Sequence, residues 1–160
     1  MSIGWLPLLD LLALVLVANG APALLALLRR RRGRPLDGGR LWIDGRPLLG
    51  ASKTWRGLGA SAVATALVAS ALGLGWHSGV LVAAGAMSGD LLSSFVKRRL
   101  GLASSASGPV LDQLPESLIP ALIAARPLGV GGAEIVLAVA VFAVVDLLLT
   151  PLGRRLRNGT

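Results

Sequence analysis

The chain reads as an all-α integral membrane protein of about five transmembrane helices, with two functional loops on the cytoplasmic side. Three observations predict this. Apolar residues make up 54% of the 160 residues before the 21 glycines are counted, above the ~45–50% that soluble domains reach with glycine included. Charged residues are only 15%, against roughly 25% in soluble domains. The remaining charge is gathered between long apolar runs. A soluble fold of this length has too little interior to hide so much apolar surface, so lipid is the solvent that the composition requires. The length fits one domain over residues 1–160.

Five apolar segments follow in order. Trp5–Leu28 carries one charge, Asp10, and contains Pro7 and Pro22. The basic run follows this stretch, the reverse of a secretory signal, so it reads as an uncleaved span. Residues 57–76 carry no charge, and residues 79–96 carry only Asp90. Residues 110–125 form a short segment with Asp112 and Glu116, and residues 133–152 hold Glu134 and Asp146. A crossing helix needs ~20 apolar residues. The first, second and fifth segments meet this, the third is marginal, and the fourth fits a tilted or partial span. Asn19-Gly20-Ala21-Pro22 interrupts the first helix, as a packing kink or as the lining of a pocket. Asp10, Glu134 and Asp146 are expected to pair within the bundle, and His77 to lie in an outer loop.

The basic residues set the orientation. Nine lie between Arg29 and Arg56, three at Lys97, Arg98 and Arg99, and three in the tail at Arg154, Arg155 and Arg157, while the opposite side holds only Arg126. The positive-inside rule then places the N-terminus outside and the C-terminus in the cytoplasm of a multi-pass cell-membrane protein. It also explains the net charge of +8 without nucleic acid, for which an aromatic-interleaved basic surface is missing. With no cysteine and one histidine, a thiol nucleophile, a disulfide framework and a Cys or multi-His metal site are excluded.

The informative residues lie at the cytoplasmic ends. Gly50-Ala51-Ser52-Lys53-Thr54-Trp55-Arg56-Gly57 lacks the glycine spacing of a P-loop. Hydroxyls and cations at a helix start nevertheless suit phosphate; the alternative is headgroup anchoring. At helical spacing Asp90, Ser93, Ser94 and Lys97 share one stripe. An acid this deep in a span faces the bundle interior or a wet cavity, either in a functional role or in a structural pair with Lys97 or a nearby arginine. Asp112 and Glu116 share a face four residues apart. With Asp90 they bring carboxylates beside phosphate-binding cations, as Mg²⁺ requires, unless Leu111–Ser117 is only a solvated turn.

Taken together, Ser52-Lys53-Thr54-Trp55-Arg56-Gly57, Gly89-Asp90-Leu91, Ser94-Phe95-Val96-Lys97-Arg98-Arg99 and Leu111-Asp112-Gln113 resemble the CDP-archaeol synthase family in order, spacing and loop placement. Asn19, Ala21 and Pro22 resemble it too, and the resemblance runs from about residue 15 to about residue 120. The wider phosphatidate cytidylyltransferase group is similar at the same places. Its members are longer, and the chain departs from them after Arg99, where Gly101–Pro109 lacks their Lys-Asp and His-Gly-Gly elements and Gln113 stands for their arginine.

The resemblance implies a Mg²⁺-dependent reaction of CTP with a membrane lipid phosphate, an archaeal-type ether lipid phosphate or phosphatidic acid, giving a CDP-lipid and pyrophosphate. It implies Asp90 and Asp112 as metal ligands, with Lys97 as a third catalytic residue. Ser52, Lys53, Thr54, Trp55, Arg56, Ser94, Arg98 and Asn19 are implied as substrate-binding. Three other classes stay in view. A CDP-alcohol phosphotransferase motif begins at Asp37-Gly38, but no Asp-x-x-x-Asp follows. A transport protein needs polar groups spread through several spans. A non-catalytic polytopic protein, and a homo-oligomer of any of these, are compatible with the same residues.

Overall fold

A computed structural model of the chain describes residues 3–28, 33–102 and 109–158. The basic run 29–32 and most of the departure segment, 103–108, lie outside the described residues. Five helices follow in order: α1 Trp5–Leu28, α2 Trp55–Ala71, α3 Trp76–Arg99, α4 Pro109–Leu128 and α5 Gly132–Asn158. By length and composition, α1, α3 and the Gly132–Leu149 part of α5 are long and apolar enough to cross a membrane. The chain is therefore an all-helical membrane protein, as its composition required.

The local chemistry explains the helix ends. Thr54 caps α2, its hydroxyl accepting from the Gly57 N–H at 3.1 Å. The helix stops at Ala71, where residues 57–76 had been read as one continuous apolar span. Gly73 and Gly75, both at φ 76°, make the turn that ends it, and Leu72 and Leu74, which alternate with them, hide that turn in a hydropathy pattern. As a result α3 starts at Trp76. His77 is then not a loop residue but lies in the first turn of α3, with its ring edge-on to Trp76 at 5.7 Å.

Helix α1 touches all four other helices, and α3 packs most extensively against α4. The glycines of α3 allow close approach. A Cβ at Gly79 would meet the Thr65 carbonyl oxygen at 2.4 Å, one at Gly85 would meet Pro120 Cα at 2.8 Å, and one at Gly89 would meet the Pro115 carbonyl oxygen at 2.0 Å. Leu8, Leu11, Leu14 and Val15 of α1, Val82 of α3, Ala121 and Ala124 of α4 and Phe142 of α5 fill the core.

Prolines free carbonyls that a membrane helix must satisfy elsewhere. Pro22 cannot donate to the Ala18 carbonyl, and Ser61 Oγ of α2 donates to that oxygen at 2.8 Å. Of the expected intrabundle acids, Glu134 accepts from the Gly4 N–H at 2.9 Å and Asp146 from Gln113 Nε2 at 3.3 Å.

Candidate functional site

The segment 33–54 is a folded loop. Leu36 N–H donates to the Lys53 carbonyl at 2.8 Å, and Trp55 N–H to that of Arg34 at 3.2 Å. These bonds pair Pro35 with Thr54 in antiparallel sense; Thr54 is extended, and Lys53 N–H closes a turn on the Gly50 carbonyl at 3.2 Å. Asp37 staples the loop from inside, its carboxylate accepting from Gly39 N–H at 2.9 Å, Leu49 N–H at 2.9 Å and Gly50 N–H at 3.0 Å. Burial opposes a charge on Asp37. The N–H donors overcome it and hold the carboxyl below its ordinary value.

The loop tip is clamped to the end of α3. Arg99 donates to Asp44 Oδ1 at 2.8 Å and to the Pro47 carbonyl at 2.6 Å. Its guanidinium lies 5.0 Å from the Phe95 ring, and the Trp42 ring meets Phe95 edge-on at 5.5 Å. This clamp sets the loop over α3, and Lys53 forms an ion pair with Asp90.

On α3 the predicted stripe is real, with Ser93, Ser94 and Lys97 all buried. Its charges pair off the helix. Lys97 Nζ meets Asp112 Oδ1 of α4 at 2.7 Å, and Asp90 meets Lys53 of the loop, so the Asp90–Lys97 pair considered from sequence is not formed. Seven residue steps separate them, about 10 Å of helix rise, and each group meets a nearer partner on another segment. Gly89 brings α3 so close to Pro115 that the next residues of the two helices, Asp90 on α3 and Glu116 on α4, place their side chains against each other. Ser93 Oγ lies 3.5 Å from Glu116 Oε1.

These groups line a pocket of about 310 Å³. Its polar wall is Asn19, Ser52, Lys53, Thr54, Asp90 and Glu116, and its apolar wall includes Pro22, Ala23, Ala26, Leu58, Met87 and Leu91. Of the residues singled out in the sequence, Asn19, Ser52, Lys53, Thr54 and Asp90 thus come together. Trp55 instead lines an adjoining hollow of about 430 Å³ with Arg34, Pro35, Leu36 and Gly38. Arg56 is exposed in the first turn of α2, and Ser94 and Arg98 are buried in α3. Lys97 and Asp112 stand outside the pocket wall as their own pair. Glu116, grouped with Asp90 and Asp112 by spacing, is absent from the ligand set that the family resemblance implied, yet it lines this pocket. Its spacing from Asp112 was visible, but its approach to Asp90 depends on the Gly89–Pro115 contact.

The family model for CarS-like CDP-archaeol synthase matches residues 8–75 and 74–153. The CDP-archaeol synthase of Hyperthermus butylicus is 47% identical over 116 residues, 68% of this chain and 67% of that protein. That of Methanosphaerula palustris is 40% identical over 142 residues, 79% of this chain and 82% of that protein. A solved structure of an intramembrane enzyme for archaeal membrane lipids biosynthesis shares the fold at a TM-score of 0.71 and 33% identity, over 88% of this chain and 90% of that one. The family model covers most of the chain, and these two synthases match it at 40% identity or more: the chain belongs to the CDP-archaeol synthase family.

Proposed function

We infer that this chain transfers the cytidylyl group of CTP to an archaeal lipid phosphate within the membrane. The lipid phosphate oxygen attacks the α-phosphorus, its new P–O bond replaces the bond to pyrophosphate, and a CDP-lipid and pyrophosphate leave. Family membership supports the reaction. Its location rests on one observation: a pocket with the Lys53–Asp90 pair and Glu116 on one wall and Pro22, Leu58, Met87 and Leu91 on the other. Such a pocket suits a phosphate whose tail stays in hydrocarbon. The reaction needs no protein nucleophile, so the protein's work is positioning and charge stabilisation.

The donor set fits Mg²⁺. Asp90 and Glu116 are hard oxygen donors lining the same pocket, and Mg²⁺ takes one or two carboxylates together with substrate phosphates and water. Among the described residues no three His, Cys, Asp or Glu side chains gather as a metal cage, which leaves coordination positions for phosphate and water. When bound, the ion supplies charge neutralisation of the triphosphate. Lys53 and Lys97 each rest on a carboxylate, and incoming phosphate oxygens compete for both ammonium groups. That exchange frees Asp90 and Asp112 as oxygen ligands. Arg56 and Arg98 add positive charge near the same helix ends, Ser52 and Ser94 add hydroxyls, and Trp55 offers a flat face for the base in the adjoining hollow.

The basic asymmetry supports an active face in the cytoplasm with the N-terminus outside. Reporter fusions at the two ends test this, and finding both in the cytoplasm overturns it. The transport alternative loses its footing in α2, where Ser61, Thr65 and Ser70 spend their hydroxyls on the carbonyls of Ala18, Ser61 and Ala66. The transfer itself is tested by release of pyrophosphate from CTP, expected only when a lipid phosphate and a divalent cation are both present. A folded chain that binds no CTP with Mg²⁺ would overturn it.

A further inference from the structure

The tip of the loop presents an apolar triplet to the outside. Leu41 is 64% exposed and Ile43 94% exposed, with Trp42 between them and exposed Arg40 and Arg46 on either side. Two large aliphatic side chains in full water would be a liability in a loop so tightly folded by Asp37. The surface on which the tip rests identifies what covers them. On α3, Leu92, Phe95 and Arg99 share one face at the spacing i, i+3, i+7. Leu92 lies within a helix long and apolar enough to cross the membrane, yet it is 49% exposed, so this face is turned to lipid. Trp42 packs edge-on against Phe95 of that face, and Arg99 locks the tip there through Asp44 and the Pro47 carbonyl. Phe95 lies four residues before the basic end of α3, about 6 Å down the helix. The Trp42 ring therefore sits beside the span at the level where tryptophans collect at bilayer boundaries.

We propose that Leu41-Trp42-Ile43 is an interfacial anchor that lies in the headgroup–hydrocarbon boundary of the leaflet around the C-terminal end of α3. Leu41 and Ile43 enter the hydrocarbon edge, and Arg40 and Arg46 meet the phosphates of the lipids above. The lipid-facing stripe of α3 runs directly into this tip, so the anchor continues a surface that lipid already covers. The same loop carries Ser52 and Lys53, so anchoring holds one wall of the pocket at headgroup height. The inference concerns membrane contact alone and stands apart from cytidylyl transfer.

The chain has no cysteine, so Ile43→Cys provides a single labelling site in the full-length protein. A nitroxide placed there, with the protein in bilayer nanodiscs, should be more accessible to oxygen than to a water-soluble nickel chelate, at a depth of about 5–10 Å below the phosphates. Accessibility like that of a label free in water overturns the proposal. A second measurement leaves residue 43 intact. With Trp5, Trp55 and Trp76 replaced by phenylalanine, Trp42 emission should be quenched by lipids brominated near the headgroup. Emission quenched by iodide and untouched by bromolipid overturns it equally.

Discussion

Asn19 gives the Glu116 carbonyl the hydrogen bond that Pro120 cannot. Pro120 sits four residues after Glu116 in α4 and has no N–H, and Asn19 Nδ2 of α1 reaches that oxygen at 3.3 Å while also donating to Val15 at 3.0 Å. The asparagine of the first span thus fixes the backbone of the residue whose carboxyl lies beside Asp90. Its place in the Asn19–Pro22 segment combines a kink with a site-forming role.

The first prediction follows from that bond. Asn19→Ala leaves a carbonyl unsatisfied in an apolar bundle and should cost about 1–2 kcal/mol of stability. Pro120→Ala restores the missing N–H within α4, so the same Asn19→Ala change in that background should cost no more than about half as much. Thermal unfolding of the four proteins in detergent measures the coupling. Equal losses in both backgrounds would mean that Asn19 does not serve the Pro120 gap.

The second concerns glycine. Gly89→Ala pushes a Cβ into the Pro115 carbonyl, whereas Gly59, in the middle of α2, has nothing within 4 Å of such an atom. Overpacking against backbone costs about 1–3 kcal/mol, and separating α3 from α4 also parts Asp90 from Glu116. Gly89→Ala should lower both the melting temperature and turnover. Gly59→Ala should raise stability by up to about 1 kcal/mol through helix propensity and leave turnover unchanged. Circular dichroism melts run beside the activity assay decide between these outcomes.

The third separates the two ion pairs. Lys97→Met breaks the partly buried pair with Asp112 and should cost up to about 3 kcal/mol, part of which Lys97→Met with Asp112→Asn should recover. Asp90→Asn is different. It removes the Lys53 partner, but Glu116 lines the same pocket and can take that ammonium in its place, so the melting temperature should move little while transfer fails. A large loss of stability in Asp90→Asn, with activity kept, would make Asp90 a structural acid.

Much of this fold was legible in the chain because lipid demands long apolar runs, and the stripe from Asp90 to Lys97 was legible because it is local. The partners of that stripe were not. Lys53 and Asp90 are 37 residues apart, and nothing in their spacing announces the pair; Lys97 seemed nearer because it lies on the same helix, two turns away. The end of α2 at Ala71 was hidden because its terminating glycines alternate with leucines. Glu116 was legible as a carboxylate on the Asp112 face, but that it, rather than Asp112, lies beside Asp90 depends on the close helix contact at Gly89. Arg99 read as one of a run of positive-inside cations, and its clamp on Asp44 depends on how the loop folds.

Asp37 sets a pH dependence on the loop. Its carboxyl titrates below the ordinary value of 3.8 when folded. Its contribution to stability is therefore complete above that value and is lost as pH falls below it through the folded-state value. Protease cleavage within 33–54 should rise in that acid range in the unmodified protein. Asp37→Asn should cleave readily already at neutral pH and show little further change on acidification. An unmodified loop with no acid sensitivity would mean that the three N–H donors add nothing to the charge.

The central claim is that Asp90 and Glu116 form one oxygen-donor pair for Mg²⁺·CTP beside Lys53. The most direct measurement is the melting temperature of the purified chain with and without CTP and Mg²⁺, for the unmodified protein, Asp90→Asn and Glu116→Gln, run beside conversion of α-labelled CTP to CDP-lipid on an archaeal ether lipid phosphate. The unmodified protein should show a shift that needs both CTP and the metal, and both variants should lose that shift and the product together while remaining folded. A Glu116→Gln protein that keeps the full metal-dependent shift and full turnover would contradict the account.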